Sequence, residues 1–120
     1  MRYIVGLLCA VALLLSAAIP AKAQDANGCT AQYISAGNFK ITVKKDGGPC
    51  SALQSTRRGS WQSGSITAPP QHGTASVTIN GAQAVFVYTP AKGYVGPDVF
   101  RAEIAASRPF PQRIDIVVTP

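Results

Sequence analysis

One histidine, His72, is the first side chain to consider for chemistry, because imidazole is the commonest general base near neutral pH. A hydrolytic site would also need a nucleophile and an acid that orients the imidazole. Ser and Thr are abundant, yet no nucleophile-elbow motif occurs, and His72 falls in the turn-forming stretch PPQHG at residues 69–73. The sequence therefore favours a protein that is not an enzyme. A small hydrolase with His72 as its base is the less favoured alternative.

Carboxylates are the next candidates, because calcium sites and glycosidase sites both bring several of them together. The acidic residues beyond the N-terminal segment are scattered along the chain, and no two of them form a local motif. They are Asp25, Asp46, Asp98, Glu103 and Asp115. We therefore predict that the protein holds no metal and no cofactor.

The N-terminal segment, residues 1–23, has the pattern of a signal peptide. Arg2 precedes an apolar run over residues 4–18, and Ala21-Lys22-Ala23 is a small-x-small cleavage site before Gln24. The run is shorter than the roughly 20 residues that span a bilayer. We expect cleavage, a periplasmic or secreted protein, and no stable membrane span afterwards.

Three cysteines occur in the chain, and cleavage would remove Cys9. Cys29 and Cys50 would remain in an oxidising compartment, where two cysteines permit one intramolecular pairing. Two thiols and a single histidine are a poor ligand set for zinc. We therefore predict a Cys29–Cys50 disulfide that closes a loop of about 22 residues and contributes roughly 3 kcal/mol to stability.

Basic residues outnumber acidic ones, 11 to 5, and the excess persists after loss of Arg2 and Lys22. Lys40 and Lys44 share the polar face of an alternating stretch, Arg57-Arg58 lies near Trp61, and further arginines follow toward the C-terminus. Such cations can bind anionic envelope polysaccharide or lipid, but the same charges also keep a β-protein soluble. The solubility role is favoured, and nucleic acid is not an expected partner. Trp61 is either a recognition aromatic or a core residue.

Alternation of apolar and polar residues predicts β-strands, and no stretch has a helical period with caps. The clearest strands cover residues 38–44, 74–79, 84–89, 98–105 and 113–119. Asn80-Gly81 predicts a hairpin, whereas Arg108 and the two prolines that follow it predict a break. Six or seven short strands with regular turns indicate a β-sandwich. We expect it over residues 38–120, preceded by an N-terminal extension over residues 24–37.

Residues 69–119 resemble the bacterial immunoglobulin-like, cadherin-like domain of secreted and surface proteins. The resemblance rests on PPQHGTASV, VYTPAKGYVGPDVF and IDIVVTP. It implies an all-β, immunoglobulin-like sandwich of about seven antiparallel strands. It also implies a structural corner, whose residues are Gly93, Tyr94, Gly96, Asp98 and Phe100. In that corner Tyr94 would cap a backbone carbonyl, Asp98 would accept hydrogen bonds from loop amides, and Phe100 would fill the core.

A fold of this kind suggests a non-enzymatic module of the cell envelope for adhesion, scaffolding or ligand binding. The partner would be an unknown protein or an envelope glycan, contacted through end loops at residues 59–64 and 91–97. The alternative is a binder of anionic polysaccharide or lipid that uses Lys40, Lys44, Arg57 and Arg58. Because a lone sandwich has unpaired edge strands, weak self-association is a further expectation.

Overall fold

A computed structural model of the chain describes residues 28–57 and 59–120 and shows eight β-strands. In chain order they are β1 (Thr30–Ser35), β2 (Asn38–Lys44), β3 (Cys50–Ser55), β4 (Ser63–Ala68), β5 (Gly73–Asn80), β6 (Gln83–Pro90), β7 (Gly96–Ala105) and β8 (Pro109–Thr119). Within the described ranges no helix is long and apolar enough to cross a membrane. The predicted signal peptide lies outside the described residues.

The strands form two sheets, which confirms the predicted all-β, sandwich-like fold; there are eight strands where about seven were expected. The five-stranded sheet has the order β1-β2-β8-β7-β4, and the three-stranded sheet has the order β3-β6-β5. Most neighbouring strands are antiparallel, as expected, but β2 and β8 pair in parallel, so that expectation was wrong for this pair. The chain can make this parallel pair because five strands intervene and supply the long connection that parallel pairing requires.

The core lies between the sheets, and the alternation read from the sequence determines which side chains fill it. On β2, Phe39, Ile41 and Val43 are buried, while Lys40 and Lys44 are exposed on the outer face. The same alternation buries every second residue of β6 from Ala84, of β7 from Phe100 and of β8 from Gln112. The largest fully buried side chains are Tyr88, Phe86, Phe100, Ile41, Ile104, Ile114 and Ile116.

The first strand, β1, was not predicted, because it falls in the stretch expected to be an N-terminal extension. All six of its residues are exposed, including Tyr33 at 58% and Ile34 at 54%. β1 is an edge strand of the larger sheet, and its side chains stay exposed even though it lies beside β3 of the other sheet. A strand without a buried face has no apolar alternation to read.

The prolines at 109 and 111 do not break the chain, so that prediction was wrong. β8 begins at Pro109, and β7 pairs with it from the start, whereas β2 joins the sheet only at Arg113. The Arg113 N–H points to the β2 side, where it donates to the Gly37 carbonyl at 2.7 Å. Residues two and four positions earlier face the same way, so the missing proline N–H groups fall where no strand accepts them.

The predicted disulfide between Cys29 and Cys50 is present, with 5.8 Å between the two Cα atoms. It joins the start of β1 to the start of β3, and these are the edge strands of the two sheets on one flank. Both cysteines are buried. The bond therefore closes a flank of the sandwich that hydrogen bonding between strands leaves open.

Replacing both cysteines with alanine should lower the free energy of unfolding by about 3 kcal/mol, because the loop between them regains freedom in the unfolded chain. Urea unfolding of the oxidised protein and of the double variant measures the difference. Dithiothreitol should destabilise the unmodified protein and leave the double variant unchanged. Equal stabilities would show that the bond contributes nothing.

Candidate binding groove

The carboxylate of Asp98 is the most densely hydrogen-bonded side chain of the described structure. Its Oδ1 accepts from the N–H groups of Gln71 at 3.1 Å and Val99 at 2.9 Å. Its Oδ2 accepts from the His72 N–H at 2.9 Å and from the Tyr88 hydroxyl at 2.8 Å. One side chain of β7 therefore holds the turn between β4 and β5, and it also reaches β6 of the opposite sheet.

These hydrogen bonds shift the pKa values of both side chains that share them. Burial by itself would raise the pKa of Asp98, but the bonds from Tyr88 and from the three N–H groups outweigh it and lower the pKa. For Tyr88, burial raises the pKa most, and the hydrogen bond and charge of Asp98 raise it further. Asp98 is therefore a fixed anion and Tyr88 a fixed neutral donor, which suits a structural bond rather than proton transfer.

Gly73 permits this convergence, because it allows the strand to start directly against β6. A Cβ atom at this position would overlap the Thr89 carbonyl oxygen and approach the Tyr88 hydroxyl to 2.8 Å. Any larger residue would thus push β5 away from the Tyr88–Asp98 hydrogen bond.

The corner before β7 is built around Tyr94, whose hydroxyl donates to the Pro97 carbonyl. Gly93 has a φ of 82°, and its N–H donates to Asp46 Oδ1 at 2.7 Å, which attaches the corner to the turn after β2. The Tyr94 ring stacks on His72 with 4.1 Å between centroids and 4° between planes. Phe100, two residues after Asp98, is buried in the core.

An open groove of about 610 Å³ lies beside this corner on the outer face of the five-stranded sheet. One wall consists of the turn at residues 69–72 and the stacked rings of His72 and Tyr94. The floor consists of outward-facing side chains of β7 and β8, which are Val99, Arg101, Arg113 and Asp115. The volume falls within the roughly 300–1,000 Å³ that is typical of small-ligand sites.

Two arginines lie side by side on the groove floor, because Arg101 and Arg113 are direct cross-strand partners. Arg113 forms an ion pair with Asp115 at 3.1 Å, whereas the Arg101 guanidinium has no ion pair within residues 28–57 and 59–120. Like charges directly opposite each other destabilise a sheet. The pair therefore does not contribute to the stability of the fold, and it leaves one cation free to bind an anion.

The sequence predicted Lys40, Lys44, Arg57 and Arg58 as one cationic set, but the structure places the lysines and Arg57 at separate sites. Lys40 and Lys44 lie on the outer face of β2, and Lys40 is the neighbour of Asp115 across the sheet. Arg57 follows β3 at the opposite end of the sandwich, beside the β5–β6 turn, while Arg58 lies outside the described residues. The lysines thus share their face with Arg101 and Arg113 instead of with Arg57.

Trp61 is in the core, with 8% of its surface exposed. Its indole N–H donates to the Gln54 carbonyl at 3.2 Å, and its ring packs edge-on against Phe110 with 5.6 Å between centroids. The sequence left open whether Trp61 is a recognition residue or a core residue, and its burial shows that it is a core residue.

The hydrogen bonds of His72 in the described part of the chain all involve its backbone. Its backbone N–H donates to Asp98, and its carbonyl accepts from Tyr88 and Ala91, but no carboxylate hydrogen-bonds the imidazole ring there. The described residues also contain no group of three or more His, Cys, Asp or Glu side chains placed to hold a metal ion.

Comparison with known proteins identifies no relative: no protein family, no curated protein and no solved structure matches this chain. Its function must therefore be inferred from its own geometry.

The arginine pair is the part of the site that sequence reasoning missed. The sequence shows Arg101 facing outward and Arg113 near the C-terminus, but their distance depends on the register of the β7–β8 hairpin. A hairpin centred on Ser107 places the two arginines opposite each other. We expected the chain to break at Pro109 and Pro111, so the sequence did not predict that β7 and β8 pair through these prolines.

Replacing Asp98 with asparagine should lower the free energy of unfolding at pH 7 by about 2 kcal/mol, because an amide cannot accept four hydrogen bonds as a carboxylate does. The folded pKa of Asp98 is lowered, so its stabilising effect is present above its unfolded pKa of about 4 and is lost as the pH falls through the folded value. The difference between the two proteins should therefore shrink in acid.

Urea unfolding at pH 7 and pH 3 measures this difference, with Asp115→Asn as the matched control. That control removes a carboxylate from an exposed ion pair and should cost less than about 1 kcal/mol. A difference between Asp98→Asn and the unmodified protein that stayed constant with pH would contradict the assigned role.

Proposed function

We propose that this chain is an exported, non-enzymatic immunoglobulin-like module of the cell envelope that binds a partner or ligand through the groove beside the Tyr94 corner. Export is supported by the signal-peptide pattern of residues 1–23 and by the Cys29–Cys50 bond, which suits an oxidising compartment. The periplasm and the extracellular space are both compatible with this proposal.

The strand order supports the immunoglobulin-like assignment. The order β3-β6-β5 in one sheet and β4-β7-β8 in the other gives the strand neighbours B-E-D and C-F-G of an immunoglobulin sandwich. The tyrosine before β7 and the buried Trp61 before β4 also have counterparts in that fold. The disulfide departs from it, because it joins the two edge strands β1 and β3.

The observation that carries the binding role is the contrast between the Asp98 cluster and Arg101. Every polar atom of the Asp98 carboxylate is used by the fold, whereas Arg101 lies on the groove floor next to a like charge and without an ion pair among the described residues. A preformed concave surface with an unneutralised cation is suited to a ligand. The resemblance of residues 69–119 to surface modules agrees with that role.

A second candidate function is the binding of an anionic envelope polymer along the whole outer face of the five-stranded sheet. Lys40, Lys44, Arg101 and Arg113 lie on that face, against Glu103 and Asp115. In this candidate, Arg101 and Arg113 take the place of Arg57 and Arg58 in the cationic set, because the pairing of β2, β8 and β7 places them on the same face as the lysines.

Self-association through an edge strand stays a prediction, and β1 is the edge that fits it. Its six residues carry no charge and no proline, and all are exposed. Edges of this kind lack the usual protection against pairing with another chain.

The binding role is tested by expressing the full chain, recovering its exported form and using it to capture partners from envelope extract. We expect one glycan or protein to be retained by the unmodified protein and released as salt rises, because the groove and its face are cationic. An Arg57→Gln variant, altered far from the groove, should retain the same partner. Capture of nothing by either protein would contradict the proposal.

Sedimentation velocity tests the separate prediction for β1. The exported protein should show a concentration-dependent dimer fraction, and Ile34→Lys should abolish it by placing a charge on the edge. A monomer at all concentrations would show that β1 does not pair with a second copy.

A further inference from the structure

We propose that the groove binds a carboxylate-bearing pyranose unit of an acidic polysaccharide. The carboxylate would lie between Arg101 and Arg113, and a face of the sugar ring would rest against the aromatic and proline wall. This inference deepens the proposed function, because it assigns a ligand class to the same groove.

The guanidinium groups on the floor define the anionic part of the ligand. Arg113 already binds a carboxylate in the free protein: its Nε and Nη2 both lie 3.1 Å from Asp115 Oδ1. Arg101 is its direct cross-strand partner and has no such contact among the described residues. A planar carboxylate matches the fork geometry of guanidinium, and such charge-assisted hydrogen bonds are the strong ones.

The charge balance of the floor leaves room for one further anion. Asp115 is flanked by Arg113 on its own strand and by Lys40 across the parallel β2–β8 pair. Glu103 follows Arg101 by two residues on the same outward face of β7, opposite Pro111, and forms no ion pair with Arg101 among the described residues. A ligand carboxylate would relieve the repulsion between Arg101 and Arg113, while Asp115 keeps Lys40 as a neighbour.

The wall defines the rest of the ligand. His72 and Tyr94 form a flat stack, and Pro69, Pro97 and Val99 add apolar surface around it. An aromatic and aliphatic wall beside charged donors suits a molecule with one apolar face and a polar rim, which describes a pyranose ring. Inorganic phosphate has no apolar face and would leave this wall unused.

The open shape favours a unit within a polymer over an acyl chain. The groove lies along the outer face of a sheet, so a chain of sugars can continue past it toward the lysines of β2. An acyl chain would need an enclosed apolar cavity, whereas charged side chains form this floor.

The test measures binding of trigalacturonic acid to the exported, disulfide-bonded protein by isothermal titration calorimetry, with its trimethyl ester as the uncharged twin. The acid should bind at least about tenfold more tightly than the ester, since the ester loses the charge-assisted bonds. Arg101→Gln should weaken binding of the acid by a similar factor, and His72→Ala should weaken binding of both sugars. Arg57→Gln removes the same charge at the opposite end and should leave the affinity unchanged.

Folding of the variants is checked independently by urea unfolding. Arg101→Gln should keep or raise the unfolding midpoint, because it removes one member of a like-charge pair. A loss of sugar binding by a variant with undiminished stability then reports on the groove itself.

Three results would overturn the proposal: equal affinity for the acid and its ester, an equal loss in Arg57→Gln and Arg101→Gln, or no binding of the acid. Tighter binding of inorganic phosphate or of phosphatidylglycerol vesicles through the same arginines would also overturn it, in favour of a phosphate site. If envelope extract still yields a partner that Arg101→Gln retains, the envelope-binding role stands, whereas the carboxylate ligand assigned to Arg101 and Arg113 is wrong.

Discussion

The half-buried carboxylate of Asp98 links the two sheets at the end of the sandwich that bears the groove. It receives two hydrogen bonds from the turn at residues 69–72, one from its own strand and one from Tyr88 of the facing sheet. Removing an anion from water is costly, and these four donors offset that cost. The groove wall depends on this arrangement, because the same turn carries His72, on which Tyr94 stacks.

The two flanks of the sandwich are closed by different means. On one flank β1 and β3 are joined by the Cys29–Cys50 bond, and on the other the chain crosses from β4 to β5 through the turn that Asp98 holds. A covalent bond needs no polar neighbours, whereas a half-buried carboxylate such as Asp98 is held by several hydrogen-bond donors. The groove lies beside this flank, because the turn that Asp98 holds forms one of its walls.

The sequence predicted the parts of the fold where burial alternates, and it failed where burial does not. β2 and its buried face could be read directly, because Phe39, Ile41 and Val43 face a covered core. β1 could not be predicted, because all of its residues are exposed. The start of β8 was missed because prolines occur there, and they are tolerated since only β7 pairs with that part of the strand. The Asp98 acceptor role followed from its corner motif, but the Arg101–Arg113 pair depended on a hairpin register that no local pattern fixes.

The contrast between Asp98 and Arg101 separates the structural charges of this protein from those available to a partner. Asp98 is saturated by donors of the fold, and its lowered pKa reflects how strongly the folded state favours the anion. Arg101 faces a like charge across the sheet and forms no ion pair among the described residues, although Glu103 follows two residues later on the same face. A charge that the fold does not use is the physical reason to look for its partner outside the chain.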